Sequence, residues 1–227
     1  LKKSLMQKLF TEGLYGEEQK ETEIGPIPKS WKVVRLGELY KKRIIKFQNG
    51  LACGNWNEEG IGIPQIRPFN ITNEGRISLK NLKYVQLNGN IEKYKLKKGD
   101  IIFNNTNSEE LVGRTAYWEI DGNFILSNHM TIIRVLDASV IDPVFLSSYL
   151  HKNWIDGAYL KHRRRYVNQA SITLTILKTL PIPLPPLEEQ KQIAHILSTV
   201  DKKIEIEQKR KEVLKDLFKT MLHKLMS

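Results

Sequence analysis

The sequence lacks several features that mark whole classes of protein. It contains a single cysteine, Cys53, which excludes a disulfide framework and any zinc site built from several cysteines. No run of about eighteen apolar residues is present, so the sequence predicts no ordinary membrane-spanning helix. The first residues also lack the apolar segment of a secretory signal, and we therefore expect a cytoplasmic protein in a reducing compartment.

Acidic residues are scarce relative to basic ones. The chain of 227 residues has 36 Lys and Arg against 25 Asp and Glu, which gives a formal net charge of +11. Residues 31–185 hold 22 basic and 13 acidic side chains, and so carry +9 of that total. Positive charge concentrated in one region indicates a polyanionic partner such as nucleic acid, although a merely soluble basic surface is the simpler alternative.

Glycine and proline are absent from residues 187–227, directly after a proline-rich run. Glu188 and Glu189 place negative charge where the first turn of a helix favours it. Apolar residues then recur at alternating steps of four and three, which predicts a coiled-coil seam formed by Ile193, Leu197, Val200, Ile204, Leu214, Phe218, Met221 and Leu225. A helix of about 40 residues is about 60 Å long, so we expect it to project from its domain and pair with another helix.

The middle of this seam is interrupted. Glu207 and Lys211 occupy seam positions, while Ile206, Val213 and Leu217 lie to one side. Either the seam shifts to a neighbouring face, or a buried polar pair fixes the register of the coiled coil. We favour the shift.

Residues 31–180 have the pattern of a mixed, strand-rich domain. The turn at Asp121-Gly122 predicts a hairpin between residues 114–120 and 123–126. Alternating or apolar runs bounded by turn residues predict further strands at residues 31–36, 101–103, 130–136 and 173–182. The predicted fold class is therefore α+β: a globular, strand-rich mixed domain followed by a long C-terminal coiled-coil helix.

Two shorter helices are predicted as well. Asp142 followed by Pro143 provides an N-cap and a first-turn proline for a helix that continues to Leu150. Residues 1–14 also have a helical pattern, and residues 3–11 resemble residues 219–227 with identical residues at three positions. This similarity indicates an internal repeat, with chance similarity between two amphipathic helices as the alternative.

Recognisable motifs lie at both boundaries of the strand-rich region and at intervals within it. They are Gly25-Pro26-Ile27-Pro28-Lys29-Ser30-Trp31 and Val34-Arg35-Leu36-Gly37-Glu38-Leu39 at its start, then Lys98-Gly99-Asp100-Ile101-Ile102-Phe103, Val112-Gly113-Arg114, Ser127-Asn128-His129 and Asn168-Gln169, and finally Leu180-Pro181-Ile182-Pro183-Leu184-Pro185-Pro186-Leu187-Glu188-Glu189-Gln190. In this order, and over nearly the whole chain, they resemble the specificity subunits of type I restriction-modification systems.

The resemblance implies a domain organisation. Full subunits of that family contain two target recognition domains and two conserved helices that pair antiparallel. Residues 15–185 would then form one target recognition domain, residues 186–227 the conserved helix, and residues 1–14 the tail of an earlier helix. The chain would be either the second half of a full subunit or a natural half-length subunit that pairs with a second copy of itself through antiparallel helices.

The resemblance also implies a division of labour. The expected partners are double-stranded DNA, the modification (methyltransferase) subunits and the restriction subunit. We expect no cofactor in this chain, because S-adenosylmethionine, Mg²⁺ and ATP would be bound by those partners.

The residues themselves point to no catalytic or metal-binding site. Gly60-Ile61-Gly62 lacks the strand and helix that flank a cofactor loop, and Cys53 has no histidine at a spacing typical of a thiol nucleophile. Two other classes stay open. The chain could be a coiled-coil adaptor without DNA readout, or the recognition module of a single-chain restriction and methylation enzyme.

Candidate DNA-binding residues are arginines and polar side chains in predicted loops. Guanidinium groups can bind phosphate or guanine, and side-chain amides can bind adenine. The densest basic cluster is Lys161, Arg163, Arg164 and Arg165, with a solvated helix end or loop as its alternative. The other candidates are Gln48, Asn49, Arg67, Asn70, Asn104, Asn105, Thr106, Asn107, Arg114, Asn168 and Gln169. Asparagine-rich loops also form ordinary turns, and Arg114 could serve the scaffold.

Overall fold

The structure is a computed structural model that describes residues 2–87, 89–165 and 169–226, with the backbone alone for Arg165 and residues 224–226. The α-helices are α1 (Lys2–Thr11), α2 (Leu36–Lys41), α3 (Pro143–Ile155), α4 (Leu174–Thr179) and α5 (Leu187–Met226). The strands are β1 (Gln19–Lys20), β2 (Ile27–Pro28), β3 (Lys32–Arg35), β4 (Ile45–Asn49), β5 (Ile63–Ile66), β6 (Lys83–Val85), β7 (Asp100–Asn104), β8 (Thr106–Asn107), β9 (Thr115–Tyr117), β10 (Ile125–Leu126), β11 (Met130–Val135), β12 (Arg164–Arg165), β13 (Ala170–Ser171) and β14 (Pro181–Leu184).

A four-stranded antiparallel sheet, in the order β4-β11-β7-β9, lies at the centre of the fold. Successive side chains of a strand point to opposite faces, and both faces of this sheet are buried. Ile101 and Phe103 belong to a large core on one face, whereas Ile102 belongs to a smaller core on the other. This explains why the middle of the sequence contains short apolar runs rather than strict alternation.

The smaller sheets extend this centre toward one edge. The mixed sheet β10-β5-β6 adds Ile66 and Leu126 to the smaller core. The sheet β12-β13-β8 follows the end of β7, and the pair β14-β3 lies just ahead of α5. The pair β1-β2 lies at the C-terminal end of α1, where Gln19 Nε2 donates to Thr11 O at 3.1 Å. Candidate DNA-binding residues therefore lie on strands of two of these sheets, and Arg67 directly follows β5 of a third.

Helices cover the large core. Met6 and Phe10 of α1 pack with Phe145 of α3, and the ring centroids of Phe10 and Phe145 lie 5.3 Å apart. Ile193 and Leu197, from the first half of α5, belong to the same core. The long helix is thus an integral part of the domain at its N-terminal end.

The two boundary motifs meet in space. Trp31, which ends the first motif, donates from Nε1 to Glu189 Oε2 at 2.8 Å. The other carboxylate oxygen of Glu189 accepts the backbone N–H of Leu14 at 2.9 Å. The neighbouring Gln190 donates to Pro185 O and accepts from Asp142 N, each at 2.9 Å. These bonds, two of them fully buried, join the start of the domain to the start of α5, which gives the motifs a structural role.

Most predicted elements are confirmed. The long C-terminal helix, the α+β class and the strands at β3, β7 and β11 are as predicted. In the ranges that the structure describes, no helix is both long and apolar enough to cross a membrane.

Two predicted elements are wrong. Residues 114–120 and 123–126 form no hairpin, because β9 pairs with β7 while β10 runs parallel to β5 in another sheet. The predicted strand at residues 173–182 begins as helix α4, capped by the hydroxyl of Thr173, before β14 forms.

The role predicted for the first half of the seam is also wrong. Ile193 and Leu197 are buried in the core of their own domain and cannot form an interface with a second copy. Val200 and Ile204 are half-buried. Beyond them Leu214, Phe218 and Met221 are exposed, and the side chain of Leu225 lies outside the described residues.

Candidate nucleic-acid interface

Polar side chains gather where the central sheet ends. Because its strands are antiparallel, the last residues of β4 and β7 lie beside the first residues of β11. The hydroxyl oxygen of Thr131 lies 3.1 Å from Asn49 Oδ1 and 3.2 Å from Asn105 Oδ1. A single hydroxyl can donate to only one of these oxygens at a time, so the amide oxygen of the other asparagine is left to accept a hydrogen bond from a ligand.

The sheet β12-β13-β8 continues this edge. The carbonyl of His129 accepts the N–H groups of Asn105 and Thr106 at 3.0 and 3.1 Å, which turns the chain from β7 into β8. Ser171 pairs with both Thr106 and Arg164, so the backbone of exposed Arg164 lies two strands from Thr106.

The sheet β10-β5-β6 completes the edge from the other side. The carbonyl of Ile66 accepts the N–H of Ser127 at 2.9 Å, which places Arg67 beside the Ser127-Asn128-His129 turn. We call this surface the polar edge and define it as Gln48, Asn49, Arg67, Asn105, Thr106, Asn107, Asn128, His129, Arg164 and Gln169, all of which are exposed or half-buried.

Three predicted DNA-binding residues are buried scaffold residues instead. Asn70 accepts from Arg67 N at 3.0 Å and donates to two backbone carbonyls of residues 78–80. Asn104 donates to Leu111 O at 2.9 Å. Arg114 donates to Ile71 O at 2.6 Å and to Asn73 at 2.7 Å, with its guanidinium 5.0 Å from the ring of Trp154.

The basic cluster divides in the same way. Arg163 forms an ion pair with Glu109, and its side chain is only 6% exposed, so its prediction as a DNA-binding residue is wrong. Arg164 is exposed and belongs to the polar edge. The side chain of Arg165 and all of Asn168 lie outside the described residues.

Sequence reasoning missed some residues of this surface. Asn128 and His129 are exposed in the turn before β11, although the motif that contains them predicts no role in binding by itself. Trp56 is 47% exposed in the loop before β5, with Lys83 Nζ 3.8 Å from its ring centroid. A lone tryptophan inside a glycine- and asparagine-rich loop was the signal that could have identified it.

A polar cluster elsewhere lines a cavity of about 340 Å³ between α1, α3 and α5. Burial, with the positive charge of Lys2 and Arg114 nearby, lowers the pKa of His151 to about 4. The ring of His151 stacks on Trp154, with centroids 5.3 Å apart. Throughout the described ranges, no group of three or more His, Cys, Asp or Glu residues could hold a metal ion.

A family model described as the type I restriction modification DNA specificity domain matches residues 28–216. The chain is 40% identical over 215 residues to a protein of Methanocaldococcus jannaschii described as the specificity subunit of the type I restriction enzyme MjaX. The alignment covers 93% of this chain and 49% of that protein. It is 30% identical over 237 aligned positions to the type I restriction enzyme MjaVIII specificity subunit of the same organism, covering 100% of this chain and 52% of that protein. The chain therefore spans about half the length of these relatives.

Solved structures share the fold. A chain from a study of complex assembly and conformational transition of the type I R-M system gives a TM-score of 0.61 at 20% identity, over 92% of this chain and 46% of that chain. The HsdS subunit from Thermoanaerobacter tengcongensis gives 0.57 at 20% identity, over 90% and 43%. Because the family model covers most of the residues, the chain belongs to the type I restriction modification DNA specificity domain family.

Proposed function

We propose that the chain is a non-catalytic subunit that recognises a specific double-stranded DNA sequence through the polar edge. The observation that carries this proposal is the convergence of arginine and amide side chains from three sheets on one surface. Arginine can bind phosphate or guanine, and asparagine and glutamine can bind adenine, so the edge contains the groups that DNA readout requires. Membership of a DNA specificity family supports the same assignment.

The proposal assigns methylation and cleavage to partner subunits in the cytoplasm. A modification subunit would bind S-adenosylmethionine, and a restriction subunit would use Mg²⁺ and ATP. The relatives are named specificity subunits, which supports a targeting role for this chain. The purified chain alone should then transfer no methyl group from labelled S-adenosylmethionine to DNA.

DNA binding can be tested by its salt dependence. Replacing Lys161 and Arg164 together with Ala should reduce the log–log salt slope of binding by about 0.9 for each phosphate that the variant no longer neutralises. Fluorescence anisotropy of a labelled duplex measures this slope. The matched control replaces Lys209 and Lys211, two exposed lysines on the far half of α5, and should leave the slope unchanged. If the two variants behave alike, the basic surface near Arg164 is not the interface.

The exposed half of α5 supports a proposal about assembly. Lys2 Nζ lies 2.6 Å from Asp201 Oδ1, while Leu14 contacts Glu189, so α1 runs antiparallel along the first half of α5. A helix in line with α1 would cover Leu214, Phe218 and Met221, which are all more than half exposed. We propose that the same half of α5 from a second copy takes this place, which gives an isologous antiparallel dimer.

A second apolar stripe remains after that pairing. Ile206, Val213 and Leu217 are also more than half exposed, at positions displaced from the first stripe. One partner helix covers a single seam, so this second stripe favours a further helix from another subunit. We assign it to the modification subunit.

Light scattering tests the dimer. The unmodified chain at tens of micromolar should have twice the mass of one chain, and Phe218→Asp should be monomeric. Lys219→Asp, which changes a neighbouring position outside the stripe, should remain dimeric. A monomeric unmodified chain would instead favour a covering helix from a segment ahead of Leu1. A dimer without DNA affinity would favour the coiled-coil adaptor.

A further inference from the structure

The loop between β4 and β5 presents an aromatic ring beside the polar edge. Trp56 is about half exposed, and Arg67 and Lys83 both approach its ring. The guanidinium carbon of Arg67 lies 5.4 Å from the ring centroid. Arginine stacks on aromatic faces, and this contact restrains the plane of the guanidinium group.

A buried amide restrains the same guanidinium from a second direction. Arg67 Nε donates to Gln65 Oε1 at 3.0 Å, and Gln65 Nε2 donates to Leu51 O at 3.0 Å. Gln65 is 1% exposed, so its amide is fixed within the fold. The backbone N–H of Arg67 is held by the buried Asn70. Side chain and backbone are therefore both anchored.

The two terminal nitrogens of Arg67 are left for a ligand. Among the described residues, no hydrogen bond to Nη1 or Nη2 of Arg67 is formed, because Gln65 engages Nε alone. These two nitrogens form a fork of donors at the end of the side chain. The backbone of Arg67 follows the Ile66–Ser127 bond, so the residue that carries this fork belongs to the polar edge, and its guanidinium lies against Trp56.

The loop that carries Trp56 is itself braced. Asn57 donates from Nδ2 to Ile61 O at 2.8 Å, and its Oδ1 accepts the N–H groups of Glu59 and Ile61. Asn57 also pairs with Tyr84 through two backbone bonds of 2.9 Å. Gly62 has φ of +106°, and a Cβ there would lie 2.4 Å from Val85 O, so the loop can pass β6 only with glycine.

We propose that Arg67 reads a guanine base of the DNA target through Nη1 and Nη2, and that Trp56 and Gln65 are positioning residues that orient it. This inference rests on the proposed DNA-binding function. Guanine O6 and N7 accept two parallel hydrogen bonds from one guanidinium. A restrained fork favours a base over a phosphate, because base readout requires one defined orientation and phosphate oxygens can be reached from many.

Selection of bound duplexes from a randomised pool, followed by sequencing, tests the proposal. The unmodified chain should select a motif that contains a guanine. Arg67→Ala should lose the preference at that single base pair by about 5- to 150-fold and keep the rest of the motif. Arg67→Lys retains the charge but lacks the fork, so it should lose the same preference.

Variants of Trp56 separate positioning from structure. Trp56→Ala should weaken the guanine preference at the same base pair, whereas Trp56→Phe, which keeps an aromatic face, should retain it. Thermal unfolding of each variant confirms that the fold is intact. Arg164→Ala is the matched control, and it should weaken binding to all sequences alike.

Three results with the variants would overturn the inference. A uniform loss of affinity in Arg67→Ala, with a smaller salt slope and an unchanged motif, would make Arg67 a phosphate ligand. Unchanged affinity and motif would remove Arg67 from the interface. A change at a different base pair in Trp56→Ala would make Trp56 a reader rather than a positioning residue. If the unmodified chain selects no motif at all, the proposed function fails first, and the inference fails with it.

Discussion

The two halves of α5 share one apolar repeat but have different surroundings. In the first half, Ile193 and Leu197 are fully buried in the large core of the globular domain. In the second half, Phe218 is 64% exposed and Met221 is 54% exposed. The same spacing therefore serves the core of one domain and, by our proposal, the interface between subunits. Apolar periodicity identifies a face that must be covered, and the tertiary fold decides what covers it.

The difference begins where α1 ends its contact with α5. Up to Asp201, α5 packs against α1 and α3, and Glu189 and Gln190 join it to the boundaries of the domain. Beyond that point, in the part of the chain that the structure describes, a single side-chain hydrogen bond reaches α5 from outside it, from Arg76 to Gln208 at 2.8 Å. The second half thus projects from the domain as a separate surface.

The largest expected effect comes from placing one charge in each half. Leu197→Asp should destabilise the domain by at least about 4 kcal/mol, because it removes a buried side chain and leaves a carboxylate in the core. Phe218→Asp should leave the free energy of unfolding of the domain nearly unchanged and abolish association. Chemical denaturation at low protein concentration measures the free energy of unfolding of both variants. Equal destabilisation by the two variants would contradict the division of α5 into two halves.

Sequence patterns predicted elements whose causes are local. The absence of glycine and proline, together with the repeat, predicted α5, and Asp142 with Pro143 predicted the start of α3. The hairpin prediction failed because it depended on pairing. The chain does bend at Gly122 and Asn123, but the strands on either side pair with distant segments in different sheets. Partners far apart in sequence decide such pairings.

The sequence predicted only part of the polar edge, because the position of a side chain in the fold depends on contacts with distant segments. Asn104 and Asn105 are adjacent, yet Asn104 ends β7 and is buried, whereas Asn105 lies between β7 and β8 and is only half-buried at the edge. Composition placed both in one candidate loop. Choosing between them required the end of β7 and its register with β11, which a single sequence does not contain.

A smaller effect on stability should follow acidification, through the buried His151 of α3, the helix on which the first half of α5 packs. His151 has its pKa lowered from 6.5 to about 4 by burial and by nearby Lys2 and Arg114, against the opposing charge of Glu74. Below about pH 6.5 the unfolded chain binds a proton that the folded chain excludes. The stability present at pH 7 is therefore lost as the pH falls toward 4, by about 3 kcal/mol from this residue.

The comparison of His151→Phe with the unmodified chain isolates this contribution. Unfolding free energies from pH 7 to pH 4 should fall less steeply in the variant, while the acid-dependent contribution of Glu74, whose pKa is lowered, is largely shared by both proteins. His129→Phe changes an exposed histidine and should retain the full slope. Equal slopes in all three proteins would show that His151 is protonated as readily in the folded chain as in the unfolded one.

The smallest effect should come from the bond at the start of the projecting half. Arg76→Met removes the hydrogen bond to Gln208 and should cost less than about 1 kcal/mol of global stability, because such surface contacts contribute little. Amide hydrogen exchange should nevertheless accelerate in residues 205–212 and stay unchanged in residues 190–200, which are held by the core.

The measurement uses the Phe218→Asp background, so that association does not protect the helix. Lys203→Met, an exposed lysine on the same helix, is the control. Faster exchange throughout α5 would mean that the two halves open as one unit, and unchanged exchange would mean that helix propensity alone holds the second half.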